Sequence, residues 1–167
     1  MIKFECPIFV LKMPNHHLVK GVLLKSIADA IGETRDSENE KVRTDWYSNK
    51  SKEYFKQFWF FVKDDVEGLF KNLGYKNVNV GVYWYQQYTK DGCFSWHRHE
   101  GSTWNIVYYL ELGDNSPRTE FRHPVTQEVF TVEADEGDII IFPSLLLHRS
   151  PVNQTDERKT IIAVNID

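Results

Sequence analysis

KNVNVGVYWYQQYTKDGCFSWHRHEGSTWNIVYYLEL, residues 76–112, is the stretch on which the fold turns. Val78, Val80, Val82 and Trp84 alternate with Asn79, Gly81, Tyr83 and Tyr85, the two-residue period of an extended chain. Asp91-Gly92 marks a turn, and Trp104 to Leu112 reads as a second extended run. Between them stands His97-Arg98-His99. In a strand, residues i and i+2 project from one face, so this spacing sets two imidazoles side by side, as a chelating pair requires.

Downstream, Glu128 to Val132, Ile139 to Phe142 and Lys159 to Asn165 also look extended. Gly113-Asp114, Ser116-Pro117, Glu136-Gly137 and Pro151 punctuate them. Many short strands with no helix between them predict a sandwich or jelly roll. Such a roll can carry His148, which follows an apolar strand and Pro143, to the strand of His97 and His99. A histidine pair plus one distant histidine is a minimal facial metal site. The other histidines fit less well. His16 and His17 are adjacent, point in different directions, and read as surface residues; His123 stands at a strand end and reads as structural.

Upstream the texture changes. Residues 4–12 (FECPIFVLK) suggest a strand that Pro7 confines to an edge. Val22, Leu23, Ile27, Ala30 and Ile31 recur at helical spacing and stop at Gly32. Residues 33–50 are polar and read as a long loop. Phe55, Phe58, Trp59, Val62, Val66, Leu69, Phe70 and Leu73 then form a broad apolar stripe ending at Gly74, the packing face of a second helix. The expectation is one domain over 1–167, helical over 1–75 and β over 76–167. Its fold class is mainly β with N-terminal helices: a sandwich or jelly roll with the helices packed on one sheet. The aromatic-rich helix packs either internally or across a homodimer interface.

The chain of 167 residues is 41% apolar and 14% aromatic, enough for a sizeable core. A net charge of −4 without a run of like charges argues against a nucleic-acid-binding surface. No apolar run has membrane-spanning length, and the first residues lack the pattern of a secretory signal. Cys6 and Cys93 stand far apart with no CxxC spacing, which argues against a disulfide framework or thiolate zinc site. A reducing, cytoplasmic setting is expected.

Three segments together resemble the 2-oxoglutarate- and Fe(II)-dependent oxygenases, in particular the prolyl-hydroxylase-related oxygenases of bacteria and bacteriophages. They are Trp96-His97-Arg98-His99 running into Val107-Tyr108-Tyr109-Leu110; Glu136-Gly137-Asp138-Ile139-Ile140-Ile141-Phe142-Pro143-Ser144 ending at His148; and Arg158-Lys159-Thr160 running into Ile162-Ala163-Val164-Asn165. The resemblance covers residues 80–167, with a looser match around Thr44-Asp45-Trp46. It implies a double-stranded β-helix with iron at its open end and 2-oxoglutarate as co-substrate. The implied reaction hydroxylates a C–H bond and releases succinate and CO2.

The family's ligand pattern is His-x-Asp/Glu…His. His97 matches the first histidine and His148 the last, but His99 stands where the carboxylate belongs. Three readings stay open: His99 binds, Glu100 swings in, or water or an anion fills the position. The resemblance also implies a basic residue on the last strand for the distal carboxylate of 2-oxoglutarate. Arg158 is the candidate, with Thr160 projecting the same way; Lys159, projecting oppositely, is the rival. Tyr109 and Tyr88 match as further carboxylate partners, and Trp96, Arg98, Glu100, Trp104 and Arg122 are expected near the mouth. The substrate, small-molecule or peptidyl, is not encoded legibly.

Two other classes compete. Gly92 with His97-x-His99, and Gly137, Pro143, His148 and Asn153, approximate the two cupin motifs, although the glutamate expected soon after HxH is absent. That reading gives a co-substrate-independent dioxygenase, an isomerase or a metal-dependent binding module. The third possibility is a non-catalytic jelly roll. A cation buried in the pocket separates the first reading from these.

Overall fold

The computed structural model describes residues 6–167. In chain order the elements are β1 (Phe9–Lys12), α1 (His16–Asp29), β2 (Glu33–Asp36), β3 (Glu40–Thr44), α2 (Glu53–Asn72), β4 (Val80–Tyr88), β5 (Cys93–His97), β6 (Trp104–Glu111), β7 (Glu120–Arg122), β8 (Val129–Thr131), β9 (Asp138–Pro143), β10 (His148–Ser150) and β11 (Lys159–Ile166). The strands pair antiparallel in the order β1-β9-β6-β11-β4-β3-β5-β10-β7-β8, with β2 beside β3.

The sheet curls at β3. Its Arg43 and Thr44 pair with β4, whereas Glu40 and Lys41 pair with β5, so one short strand joins two limbs. Gly92 serves the same bend: a Cβ there would lie 2.7 Å from the Thr89 carbonyl oxygen and 3.0 Å from that of Lys41. Inside the curl, Trp84, Tyr88, Val107, Tyr109, Ile140, Phe142, Ile161 and Ala163 of one limb pack with Phe94, Phe121 and Leu146 of the other. Alternation sends Ile106, Tyr108, Leu110, Ile139, Ile141, Ile162 and Val164 to the opposite face. There Val19, Leu23 and Ile27 of α1 and Tyr54, Phe58, Val62, Val66 and Phe70 of α2 cover them, with the Phe58 ring stacked on Tyr108 at 5.2 Å. The double-stranded β-helix with helices on one sheet is therefore the observed architecture. No helix among the described residues is long and apolar enough to cross a membrane.

The N-terminal half departs from expectation. Residues 33–50 are not one loop, because β2 and β3 form a hairpin within them. Its polarity has a physical cause: β2 is bonded only to β3, and charged residues suit an edge strand. Only one side of β3 turns inward, through Val42 and Thr44. With β1 counted too, the described residues up to 75 hold three strands as well as two helices. The expected 4–12 strand runs from Phe9 to Lys12 at a sheet edge, while residues 4 and 5 lie outside the described residues.

His16 is not a free surface residue. Its Nδ1 lies 2.6 Å from the Tyr108 hydroxyl and its Nε2 3.2 Å from Glu136, which ties α1 to the β sheet.

Candidate metal centre

His97 ends β5 and His148 begins β10, and the two are direct cross-strand partners. His99 lies beyond β5, not within it. Its backbone N–H donates to the Ser144 carbonyl at 3.0 Å, which anchors the segment to the end of β9. The potential ligand nitrogens of the three histidines lie within 4.8 Å of one another.

The ring orientations are fixed in two different ways. His97 Nδ1 donates to the Ser95 carbonyl at 2.8 Å, and His148 Nδ1 donates to the Leu146 carbonyl at 2.8 Å. A carbonyl only accepts, so each Nδ1 carries the hydrogen and each Nε2 keeps its lone pair. Buried histidine ligands are prepared in this way for a metal. His99 is instead held by rings: it stacks on Trp84 at 5.4 Å and 28°, with Trp46 at 6.2 Å.

Burial lowers the pKa of all three. For His99 it brings the value to about 4, helped by the neighbouring His97; His148, the most buried, falls well below the ordinary range. Three neutral imidazoles converge, which is the form that binds a metal.

Glu100 does not join them; it projects outward and pairs with Arg98 at 3.0 Å.

From the histidines a slot runs into the curl, lined by Gln86, Tyr88, Asn105, Val107, Thr119 and Ser150 among others. It encloses about 30 Å³, room for roughly one water. Asn105 Oδ1 accepts the Ser144 hydroxyl at 3.1 Å, whereas its buried Nδ2 has no partner among the described residues. Outward, His97 and His99 open on a cleft of about 300 Å³ between Trp46, Tyr47, Trp84 and Phe94, edged by Arg35, Glu40 and Arg98.

Lys159 is fully buried behind the slot, against its lining residues Ser150 and Tyr88. Its Nζ donates to the Pro117 carbonyl at 2.7 Å and to Ser150 Oγ at 3.0 Å. The ammonium also sits 5.4 Å from the centre of the Tyr88 ring and 5.7 Å from that of Tyr109. Burial, reinforced by the positive charge of Arg118, brings its pKa down to about 7. All its hydrogen-bond acceptors among the described residues are neutral oxygens, so a buried cation lacks a counter-anion.

Arg158, the first candidate from the sequence, points the other way. It forks onto Glu111 at 2.8 and 3.1 Å on the outside of the curl, and Thr160 donates to the same carboxylate. The two rival cations thus occupy opposite faces, and only Lys159 is inside. Tyr109 and Tyr88 are inside with it. The Tyr109 hydroxyl bonds Thr119 Oγ1 at 2.8 Å, and that of Tyr88 donates to Gln86 at 2.7 Å.

Of the expected mouth residues, Arg98 lines the outer cleft. Trp104 does not: it lies on the helix side, where its indole N–H donates to the Tyr75 hydroxyl at 2.8 Å. Trp96 lies under the guanidinium groups of Arg122 and Arg149, at 4.4 and 4.7 Å.

Structures of very different sequence share this architecture. A Pseudomonas putida prolyl-4-hydroxylase superposes with a TM-score of 0.68 at 13% identity, over 95% of this chain and 91% of the other. The fold is that of the 2-oxoglutarate/Fe(II) oxygenases. A Burkholderia pseudomallei oxidoreductase of the 2OG-Fe(II) oxygenase family gives 0.74 at 10% identity, over 96% and 85% of the two chains. The viral collagen prolyl hydroxylase of Paramecium Bursaria Chlorella virus-1, in its 2OG complex, gives 0.66 at 12% identity, over 95% and 94%. No protein-family model matches the sequence, and no curated protein does.

Proposed function

We propose that this protein is an Fe(II)- and 2-oxoglutarate-dependent oxygenase that hydroxylates a C–H bond of a small-molecule or peptidyl substrate. One arrangement carries the reading: three neutral imidazoles converge on a slot, and a buried lysine without a counter-anion lies against two of its lining residues, Ser150 and Tyr88. The donor set fits iron, since imidazole suits Fe(II). Three neutral ligands leave the ion's double positive charge uncompensated, which favours an anionic co-substrate. Lys159 fits the far carboxylate of the same molecule.

When bound, Fe(II) and 2-oxoglutarate would couple reduction of O2 to decarboxylation, giving succinate, CO2 and a hydroxylated product. The chain's own residues do the rest. His97, His99 and His148 would hold the ion. Lys159 holds a proton on Nζ and presents it to the inner carboxylate, with the Tyr88 and Tyr109 rings excluding water around it. Asn105 Nδ2 is a buried donor in the wall of the slot and is available to an oxygen of the ligand. The substrate would enter over Trp46, Tyr47 and Phe94, next to His97 and His99. Two of the similar structures are prolyl hydroxylases, and an open cleft of this kind admits a side chain carried on a peptide.

The test is an anaerobic titration of Fe(II)-loaded protein with 2-oxoglutarate, following the visible metal-to-ligand charge-transfer band. The band should form in the native protein and be lost in Lys159→Ala. Its absence from metal-replete native protein would transfer the assignment to a cupin-type metal site.

A further inference from the structure

We infer that Trp84 is the positioning residue for the third metal ligand, His99, taking the place of the hydrogen bond that orients the other two. This rests on the metal site proposed above but not on its co-substrate.

The three rings are supported unequally. His97 and His148 each lie on a paired strand and each have Nδ1 fixed by a backbone carbonyl two residues earlier. His99 lies past the end of β5, where strand pairing no longer sets its side-chain direction, so its χ angles need another constraint. Trp84 supplies a flat surface. It projects from the middle of β4 into the curl, paired with Ala163 of β11, and is 5% exposed. Its ring lies 28° from parallel to that of His99. The His148 ring lies on a nearly parallel plane, 15° from His99 at 5.3 Å. His99 thus has an aromatic neighbour of similar tilt in both Trp84 and His148.

The platform is itself braced. Trp46 meets Trp84 edge to face at 4.2 Å. The residue before Trp46 is Asp45, whose buried carboxylate accepts the Tyr54 hydroxyl at 2.8 Å and the Tyr85 N–H at 3.0 Å. Lys52 closes the knot by donating to the Asp45 and Tyr83 carbonyls at 2.9 and 2.8 Å. A chain of rigid contacts therefore runs from α2 through Asp45 and Trp46 to Trp84 and His99. Trp46 and Trp84 also wall the outer cleft, so a substrate group packed there touches the support of a metal ligand.

The experiment is a double-mutant cycle read by Co(II) binding, using visible absorption and equilibrium dialysis. Trp84→Ala should weaken Co(II) roughly tenfold, the usual scale for removing a group that orients a ligand. Trp84→Phe keeps a flat ring and should recover most of that loss. In a His99→Ala background, Trp84→Ala should change the affinity by less than about twofold, because the ligand it serves is gone. The Co(II) bands of Trp84→Ala should resemble those of His99→Ala. Equal losses in both backgrounds would show that Trp84 merely supports the fold and would overturn the inference while leaving the metal site standing. So would native-like Co(II) affinity in Trp84→Ala. Failure of the native protein to bind Co(II) would overturn the metal site and this inference together.

Discussion

Lys159 is where the proposed chemistry meets protein stability. Burial pulls its pKa from 10.5 to about 7 in the folded protein, with Arg118 adding to the shift. Between those values the unfolded chain binds more protons than the folded one. Stability contributed by this group therefore rises with pH across that window and is lost as pH falls toward 7; below that, both states carry the proton. A carboxylate placed against Nζ reverses the bias. At pH 8, 2-oxoglutarate binding should take up close to one proton, seen by calorimetry in buffers of different ionisation enthalpy. Lys159→Met should abolish that uptake and weaken 2-oxoglutarate by roughly 2–3 kcal/mol, the scale of a hydrogen bond to a charged group. Its melting temperature should not fall, since a buried cation without a counter-anion gives way to an apolar chain of similar length. Arg158→Ala, which removes only a pair with Glu111 on the outside of the curl, should leave 2-oxoglutarate affinity within about twofold, because Arg158 lies on the face away from the slot. A large loss there would reassign the anchor.

The strand and the hairpin show what could be read from sequence, and why the rest could not. The alternation from Val80 to Tyr85 was legible because a two-residue period is a local signal, readable without knowing that its partners β3 and β11 lie far along the chain. In β11 both faces are buried: Ile161 and Ala163 face the slot, while Ile162 and Val164 face the helices. A strand buried on both sides reads as a continuous apolar run, so its periodicity has no phase. Arg158 and Lys159 could not be told apart by it, and only pairing with β4 and β6 decides. The hairpin of β2 and β3 was hidden for a different reason. Its sequence is polar, and its place depends on β4 and β5, far along the chain. The His97-x-His99 spacing pointed to a shared side correctly, although the strand ends at His97. Asp45 carries the hairpin's junction with α2. Asp45→Ala would leave the buried Tyr85 N–H and Tyr54 hydroxyl without their acceptor, and the buried Lys52 ammonium without its carboxylate partner at 3.5 Å. The expected cost is roughly 3 kcal/mol by denaturant unfolding. An effect below about 0.5 kcal/mol, the usual range for a surface substitution, would mean the knot is not structural.

At the scale of the whole molecule, the curl brings its two limbs together at the metal centre. His97 and His148 belong to the β5-β10-β7-β8 limb, while His99 is tied through Ser144 to the end of β9 on the other. A metal held by all three would add a further link between limbs that already meet through the bend at β3, apolar packing and the Lys159–Ser150 hydrogen bond. Because the unfolded chain does not gather these nitrogens, binding energy becomes folding energy. Divalent metal at a hundredfold excess over its Kd should therefore stabilise the fold by about 2.7 kcal/mol. In a chain of this length that raises the melting temperature by several degrees. His97→Ala and His148→Ala should abolish the gain. His99→Ala should retain part of it, because the remaining pair sits on directly bonded strands and can still hold the ion. Equal stabilisation of the native protein and His148→Ala would place the metal elsewhere. A complete loss in His99→Ala would mean that cross-limb bridging, and not the β5–β10 pair, supplies most of the binding.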